Sequence, residues 1–131
     1  MITNNTRAAC VYITDAEGNI LAVSRKDNKT SFGLPGGKVE ENETSMQAAI
    51  RETLEETGYH IILDPWSPFG MIDTNKNLTI TFKATIDTSK PREILSEDET
   101  GVVKFISSEE LLKGSFKEYN EEMLKYFNKK V

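Results

Sequence analysis

The chain has one cysteine and one histidine in 131 residues, and both scarcities narrow its chemistry. Cys10 cannot form an internal disulfide, and its neighbours Ala8, Ala9, Val11 and Tyr12 read as a packed strand, so a buried cysteine is expected rather than a thiol nucleophile. His60 has no nucleophile or histidine-rich metal set beside it in the sequence and reads as a strand-start residue. No apolar run is long enough to cross a bilayer and none at the N-terminus resembles a signal peptide; the expected location is cytoplasmic, with no membrane partner. Basic runs are lacking too, apart from Lys129-Lys130, and the formal net charge is -5. A nucleic-acid duplex needs several cations on one surface, so none is expected as a partner. A small polyphosphate ligand differs, because a divalent cation offsets its charge inside an acidic site.

What is present suits one globular domain spanning 1–131, with 37% hydrophobic and 28% charged residues. Ala8–Thr14 and Ile20–Ser24 read as strands flanking the turn Asp15–Asn19, hence as a hairpin. A polar loop, 25–30, leads to Phe32-Gly33-Leu34-Pro35-Gly36-Gly37. A helix is predicted over Ser45–Thr57, started by a Thr44/Gln47 capping box and stopped by Gly58. Strand character recurs at Ile61–Leu63, around Trp66–Ile72, over Leu78–Ile86 after a turn at Asn75-Lys76-Asn77, and at Val102–Ile106. Asp87–Thr100 reads as a polar loop. Ser107 and Glu110 cap a short helix ending near Gly114, and Ser115 with Glu118 repeats that spacing before a last helix, where Phe116, Met123, Leu124 and Phe127 share a side. The sum is a mixed or antiparallel-rich sheet with helices packed on it.

The chemistry gathers on the first helix. Glu52, Glu55 and Glu56 fall at i, i+3 and i+4, so their carboxylates converge. Met46, Ile50, Thr53, Leu54 and Thr57 are read as the stripe that packs on the sheet, leaving the acids to project elsewhere, toward a cleft. A solvated Glu-rich helix would need no further explanation. The upstream glycine turn, Glu43, Arg51 and Gly58, each at a defined offset, favour function instead. Crowded carboxylates become favourable around a hard divalent ion, Mg2+ first and Mn2+ next. Arg51, adjacent to Glu52 and one turn before Glu55, is expected to fix the acids in place.

Gly37, Glu43, Arg51, Glu52, Glu55, Glu56, Gly58 and Tyr59 stand at the spacing of the 23-residue signature of the Nudix hydrolases, which the chain resembles. Leu34-Pro35-Gly36-Gly37 and the flanking lengths extend the likeness over nearly the whole chain. Thr53 departs from the pattern, where an aliphatic residue is usual. The resemblance implies an α/β fold, an alpha/beta/alpha sandwich around a mixed β-sheet. It also implies Mg2+ held by Glu52, Glu55 and Glu56, with Gly36, Gly37, Glu43, Arg51 and Gly58 as structural parts of the motif.

The reaction so implied is attack by metal-activated water on a diphosphate bridge. The proton acceptor is left open among Glu55, Glu56, Glu97 and Glu99. Arg25, Lys26 and Lys38 are candidates for phosphate contact, with Arg25 preferred because it ends a strand just before the glycine loop. Phe32, Trp66, Phe69 and Tyr119 are aromatic candidates for the base, each with core packing as its plainer role. Asn120-Glu121 resembles the last-helix asparagine of the compact MutT-like branch, where an amide meets a purine. The expectation is therefore a nucleoside triphosphate, with oxidised purine nucleotides inside that class, cut to monophosphate and pyrophosphate. ADP-ribose or another sugar-linked nucleoside diphosphate is the alternative, although the downstream proline and tyrosine of other branches are not evident. A nucleotide-binding regulator without turnover is the non-enzyme alternative. Monomer and homodimer remain equally open.

Overall fold

The computed structural model describes residues 6–73, 76–95 and 101–128. Asn75, Glu97, Glu99, Lys129 and Lys130 lie outside them. In chain order the elements are β1 (Thr6–Tyr12), β2 (Ile20–Ser24), β3 (Phe32–Gly33), β4 (Gly36–Lys38), α1 (Ser45–Thr57), β5 (Ile61–Leu63), β6 (Phe69–Ile72), β7 (Leu78–Ile86), β8 (Val103–Ile106), α2 (Ser108–Leu111) and α3 (Lys117–Phe127).

One sheet runs β4-β1-β7-β5, with β6 also on β7. It is mixed: β1 lies parallel to β7, whereas β4 on β1 and both β5 and β6 on β7 are antiparallel. The second sheet is antiparallel, β3-β2-β8. The expected hairpin survives only at its tip, where Asp15 and Leu21 donate to Asn19 and Ile13 at 2.9 Å each. Beyond it the strands part, since β1 finds β4 and β7 while β2 finds β3 and β8. A glycine-rich strand and a distant one outcompete the local partner, which pattern alone does not reveal.

The period-two alternation sends Ala9, Val11 and Ile13 to one core and Tyr12 to the other. The first core is closed by α1 through Ala48 and Ala49, together with Leu21, Phe82 and Ala84. The second holds Ile20, Ala22, Phe32 and Ile106 under Leu111 of α2 and Met123 and Leu124 of α3. Helices thus cover both faces, giving the expected alpha/beta/alpha sandwich.

Three local expectations are corrected. Trp66 does not enter a strand; its N–H donates to Asp64 Oδ1 at 3.0 Å in a side-chain turn, the ring is 88% exposed, and pairing begins at Phe69. Ser115 does not cap α3, whose N-cap position is Phe116 with no side-chain cap bond, and Phe116 faces outward rather than joining Met123 and Leu124. The packing face of α1 keeps the expected Thr53 and Thr57 but is completed by Ala48 and Ala49, while Met46 and Ile50 stay 37% and 40% exposed.

Candidate active site

The helix that carries the acids is fixed at both ends. Thr44 Oγ1 accepts from the Gln47 N–H at 3.1 Å while Gln47 Oε1 accepts from the Thr44 N–H at 2.9 Å. At the other end Gly58, with φ 77°, donates to Leu54 O at 2.9 Å. Because small Ala and Thr side chains form its packing face, α1 approaches β1 and β4 closely, and Glu52 and Glu56 are drawn half-buried to the edge of that contact. Glu55 alone is exposed. Of the three acids expected to project together toward a cleft, Glu55 and Glu56 line one, whereas Glu52 does not.

Arg51 is the hub of the cluster. Its Nε and Nη2 grip Glu43 at 2.7 and 3.0 Å, Nη1 reaches Glu52 at 2.8 Å and Glu55 at 3.2 Å, and Nη2 also donates to the Lys38 carbonyl at 3.1 Å. The fork-shaped guanidinium makes such multiple bonding geometrically natural. Glu43 in turn accepts the Glu40 N–H at 3.0 Å, and Arg51 holds its carboxyl down at about 2. The signature glutamate and arginine are thus one brace between the glycine turn and the helix.

The two glycines are needed because other groups occupy the space of a side chain. A Cβ at Gly37 would lie 2.6 Å from the Glu52 carboxyl, and one at Gly36 would meet the Ala9 carbonyl and Cys10. The Gly36 N–H donates to Glu56 Oε1 at 2.9 Å. Glu56 is nevertheless pushed up to about 8, first by burial, against the opposing bond from Gly36, with the neighbouring Glu52 and Glu55 charges adding to the rise. Cys10, half-buried behind Gly36, is raised to about 12 by burial and by Glu56 and Glu52, so it is a thiol and no nucleophile, in keeping with its expected packing role.

Glu55 and Glu56 open into a cleft of about 430 Å³ whose other walls include Ser24, Arg25, Lys26, Phe32, Leu34 and Phe116. Arg25 is there, but Asp27 binds it in a fork at 2.8 and 2.9 Å. Lys26 lines the cleft and, among the described residues, has no ion-pair partner. Lys38 is exposed on β4 and does not line the cleft; its carbonyl braces Arg51 instead. Asn120 lies one turn into α3, is 3% exposed, and does not line the cleft.

Of the aromatic candidates, Phe32 lines the cleft but is buried, with the Lys104 ammonium 5.0 Å from its ring centre. Phe69 and Tyr119 pack edge to face at 5.3 Å, and the Tyr119 hydroxyl bonds Thr81 Oγ1 at 2.6 Å. Sequence reasoning passed over Phe116, which is 69% exposed at the cleft wall. Nearby Gly114 packs against the Phe32 carbonyl, which a Cβ there would meet.

Among the described residues no three acidic side chains surround a single metal position, and one oxygen of each signature carboxylate is held by Arg51 or the Gly36 N–H. The oxygen-only donors and their mutual repulsion at Glu56 still fit a hard cation. Glu52 and Glu56 each keep an oxygen not bound by Arg51 or Gly36, as does Glu55 on the cleft side.

The NUDIX domain pattern matches residues 4–127, and the chain belongs to the NUDIX family. It is 45% identical over 58 residues to a Bacillus subtilis (strain 168) protein provisionally named an 8-oxo-dGTP diphosphatase, covering 44% of this chain and 38% of that one. It is 48% identical over 48 residues to an ADP-ribose pyrophosphatase of Methanocaldococcus jannaschii, covering 35% of this chain and 28% of that one. Both matches span less than half of those relatives. Among solved structures, a UDP-X diphosphatase superposes with TM-score 0.73 at 18% identity, covering 97% of this chain and 64% of that one. A C. elegans Ap4A hydrolase gives 0.68 at 22%, covering 92% and 95%, and a MutT protein from Methanosarcina mazei Go1 gives 0.63 at 21%, covering 99% and 100%. These likenesses concern the fold.

Proposed function

We propose that the protein is a Mg2+-dependent hydrolase of nucleoside triphosphates, oxidised purine nucleotides included, that releases a nucleoside monophosphate and pyrophosphate. The observation that carries this reading is the opening of Glu55, braced by Arg51, and Glu56, held by the Gly36 N–H, onto a cleft that also holds Lys26, a cation with no ion-pair partner among the described residues.

Glu52, Glu55 and Glu56 are the residues that would hold Mg2+, or Mn2+ in its place. The ion would supply charge for the phosphoryl oxygens and lower the pKa of water. The remaining work belongs to side chains. Lys26 attracts the polyphosphate as a mobile point charge, whereas Arg25 must first exchange its fork with Asp27. Phe116 offers its exposed ring to the base, and Asn120, buried outside the cleft lining, would reach a purine edge with its amide donor and acceptor only after a shift of α3. Glu56 titrates near neutrality in the metal-free protein, so it is matched to proton exchange, and cation binding there must displace a proton. Arg51 orients Glu52 and Glu55 and stays out of the cleft.

The second reading, cleavage of ADP-ribose or a sugar-linked nucleoside diphosphate, draws on the segment shared with the ADP-ribose pyrophosphatase. It uses the same acids and differs only in the leaving group. A regulator without turnover would have no need of the complete Arg51-braced acid set. The test is a Mg2+ assay over ordinary and oxidised nucleoside triphosphates, ADP-ribose, nucleotide sugars and dinucleoside polyphosphates, with the products identified. Preferred release of monophosphate and pyrophosphate from a triphosphate supports the first reading. Preferred cleavage of a linked diphosphate moves the substrate to the second, and saturable binding with no product supports the regulator.

A further inference from the structure

The acids of α1 lie in its last two turns, at the negative end of the helix dipole, and that last turn contains no basic residue. Helix ends fray, and terminal carbonyls need partners from outside the helix. Here the partners come from the segment following β7. Arg92 Nε donates to the carbonyl of Thr57, the residue after Glu56, at 2.9 Å, and the guanidinium lies 4.3 Å from the Tyr59 ring centre. The Glu93 N–H donates to the Gly58 carbonyl at 2.8 Å, and the Asp87 N–H to the His60 carbonyl at 2.8 Å. The Glu93 carboxylate meets His60 Nε2 at 3.3 Å. A Cβ at Gly58 would strike the Glu93 carbonyl, so this signature glycine serves the passage of the strap as well as the helix cap.

We infer that Arg92 is a positioning residue for the acid face: it supplies from a distant loop the cation that the end of α1 lacks and keeps the turn bearing Glu55 and Glu56 wound. The inference rests on the proposed role of those acids in holding a divalent ion. Without the strap, the last turn loosens and the 2.9 Å bond from Gly36 to Glu56 loses its fixed partner. Residues acting behind metal ligands in this way typically tune affinity by roughly tenfold or more.

The experiment measures Mn2+ binding to the full chain by electron paramagnetic resonance, amide exchange at Glu55–Gly58, and steady-state kinetics with the nucleotide chosen by the substrate panel. Arg92→Ala is expected to weaken Mn2+ about tenfold, speed exchange in that turn, and lower kcat with KM unchanged. Arg92→Lys, which retains the charge, is expected to recover part of each. Wild-type Mn2+ affinity and kcat in folded Arg92→Ala, even with a lowered Tm, would overturn the inference, since the strap would then be a staple and nothing more. Should Arg92→Ala not fold, Arg92→Gln keeps the stem and a donor without the charge and is held to the same outcomes. Failure of the wild-type chain to bind Mn2+ or turn over would instead overturn the proposed function.

Discussion

Single residues carry the tightest constraints. Gly37 has no room for a methyl beside Glu52, so Gly37→Ala is expected to fold but to displace that carboxylate, seen as weakened Mn2+ binding at nearly unchanged Tm. Thr53, the departure from the signature, buries a hydroxyl with no hydrogen-bond partner among the described residues. Thr53→Val removes that desolvated group and should stabilise by about 1 kcal/mol, a rise of roughly 2–5 °C in Tm. Glu56 and Glu43 pull stability in opposite directions with pH. The folded-state pKa of Glu56 is raised from 4.5 to about 8, so its contribution is full below 4.5 and lost as pH rises through 8. Metal-free protein should thus melt lower at pH 9 than at pH 5, and Glu56→Gln should flatten that difference. Glu43 is depressed from 4.5 to about 2, so its contribution is present above 4.5 and lost as pH falls through 2.

At the scale of elements, α1 shows what sequence reveals and what it conceals. Both its ends were legible, because Thr44, Gln47 and Gly58 each act through a bond within a few residues. Thr44→Ala should cost about 1 kcal/mol, measurable by denaturant melts. Its buried face was legible only in part: the stripe read from the sequence held Thr53 and Thr57, which are buried, but also Met46 and Ile50, where close packing on β1 and β4 selected Ala48 and Ala49 instead. That substitution of small for large is what brings Glu52 and Glu56 to the edge of the core, and it explains why Glu56 is buried enough to hold its proton. The parting of β1 from β2 was hidden because it is decided by contacts distant in sequence, those of β1 with β4 and β7.

For the whole molecule, the two sheets and α1 meet so that an acidic chain presents a cleft containing a cation beside carboxylates. The net charge of -5 opposes a polyphosphate at long range, and in the proposed function a divalent ion and Lys26 together offset that field at the cleft. Lys26→Ala should accordingly raise KM for the nucleotide about tenfold with a smaller change in kcat, measured at fixed ionic strength. Family and sandwich were legible from the signature because the motif binds loop, helix and cap into one unit, while the place of Lys26 in the cleft depends on how the flanking strands close around that unit. The central claim is that the α1 carboxylates support Mg2+-dependent cleavage, and it is tested most directly by the kcat of Glu56→Gln against wild type, with products identified. The account predicts Mg2+-dependent turnover in the wild type and a fall of about a hundredfold or more in the folded variant. Equal turnover in the two, or wild-type turnover unaffected by removal of divalent ions, would contradict it.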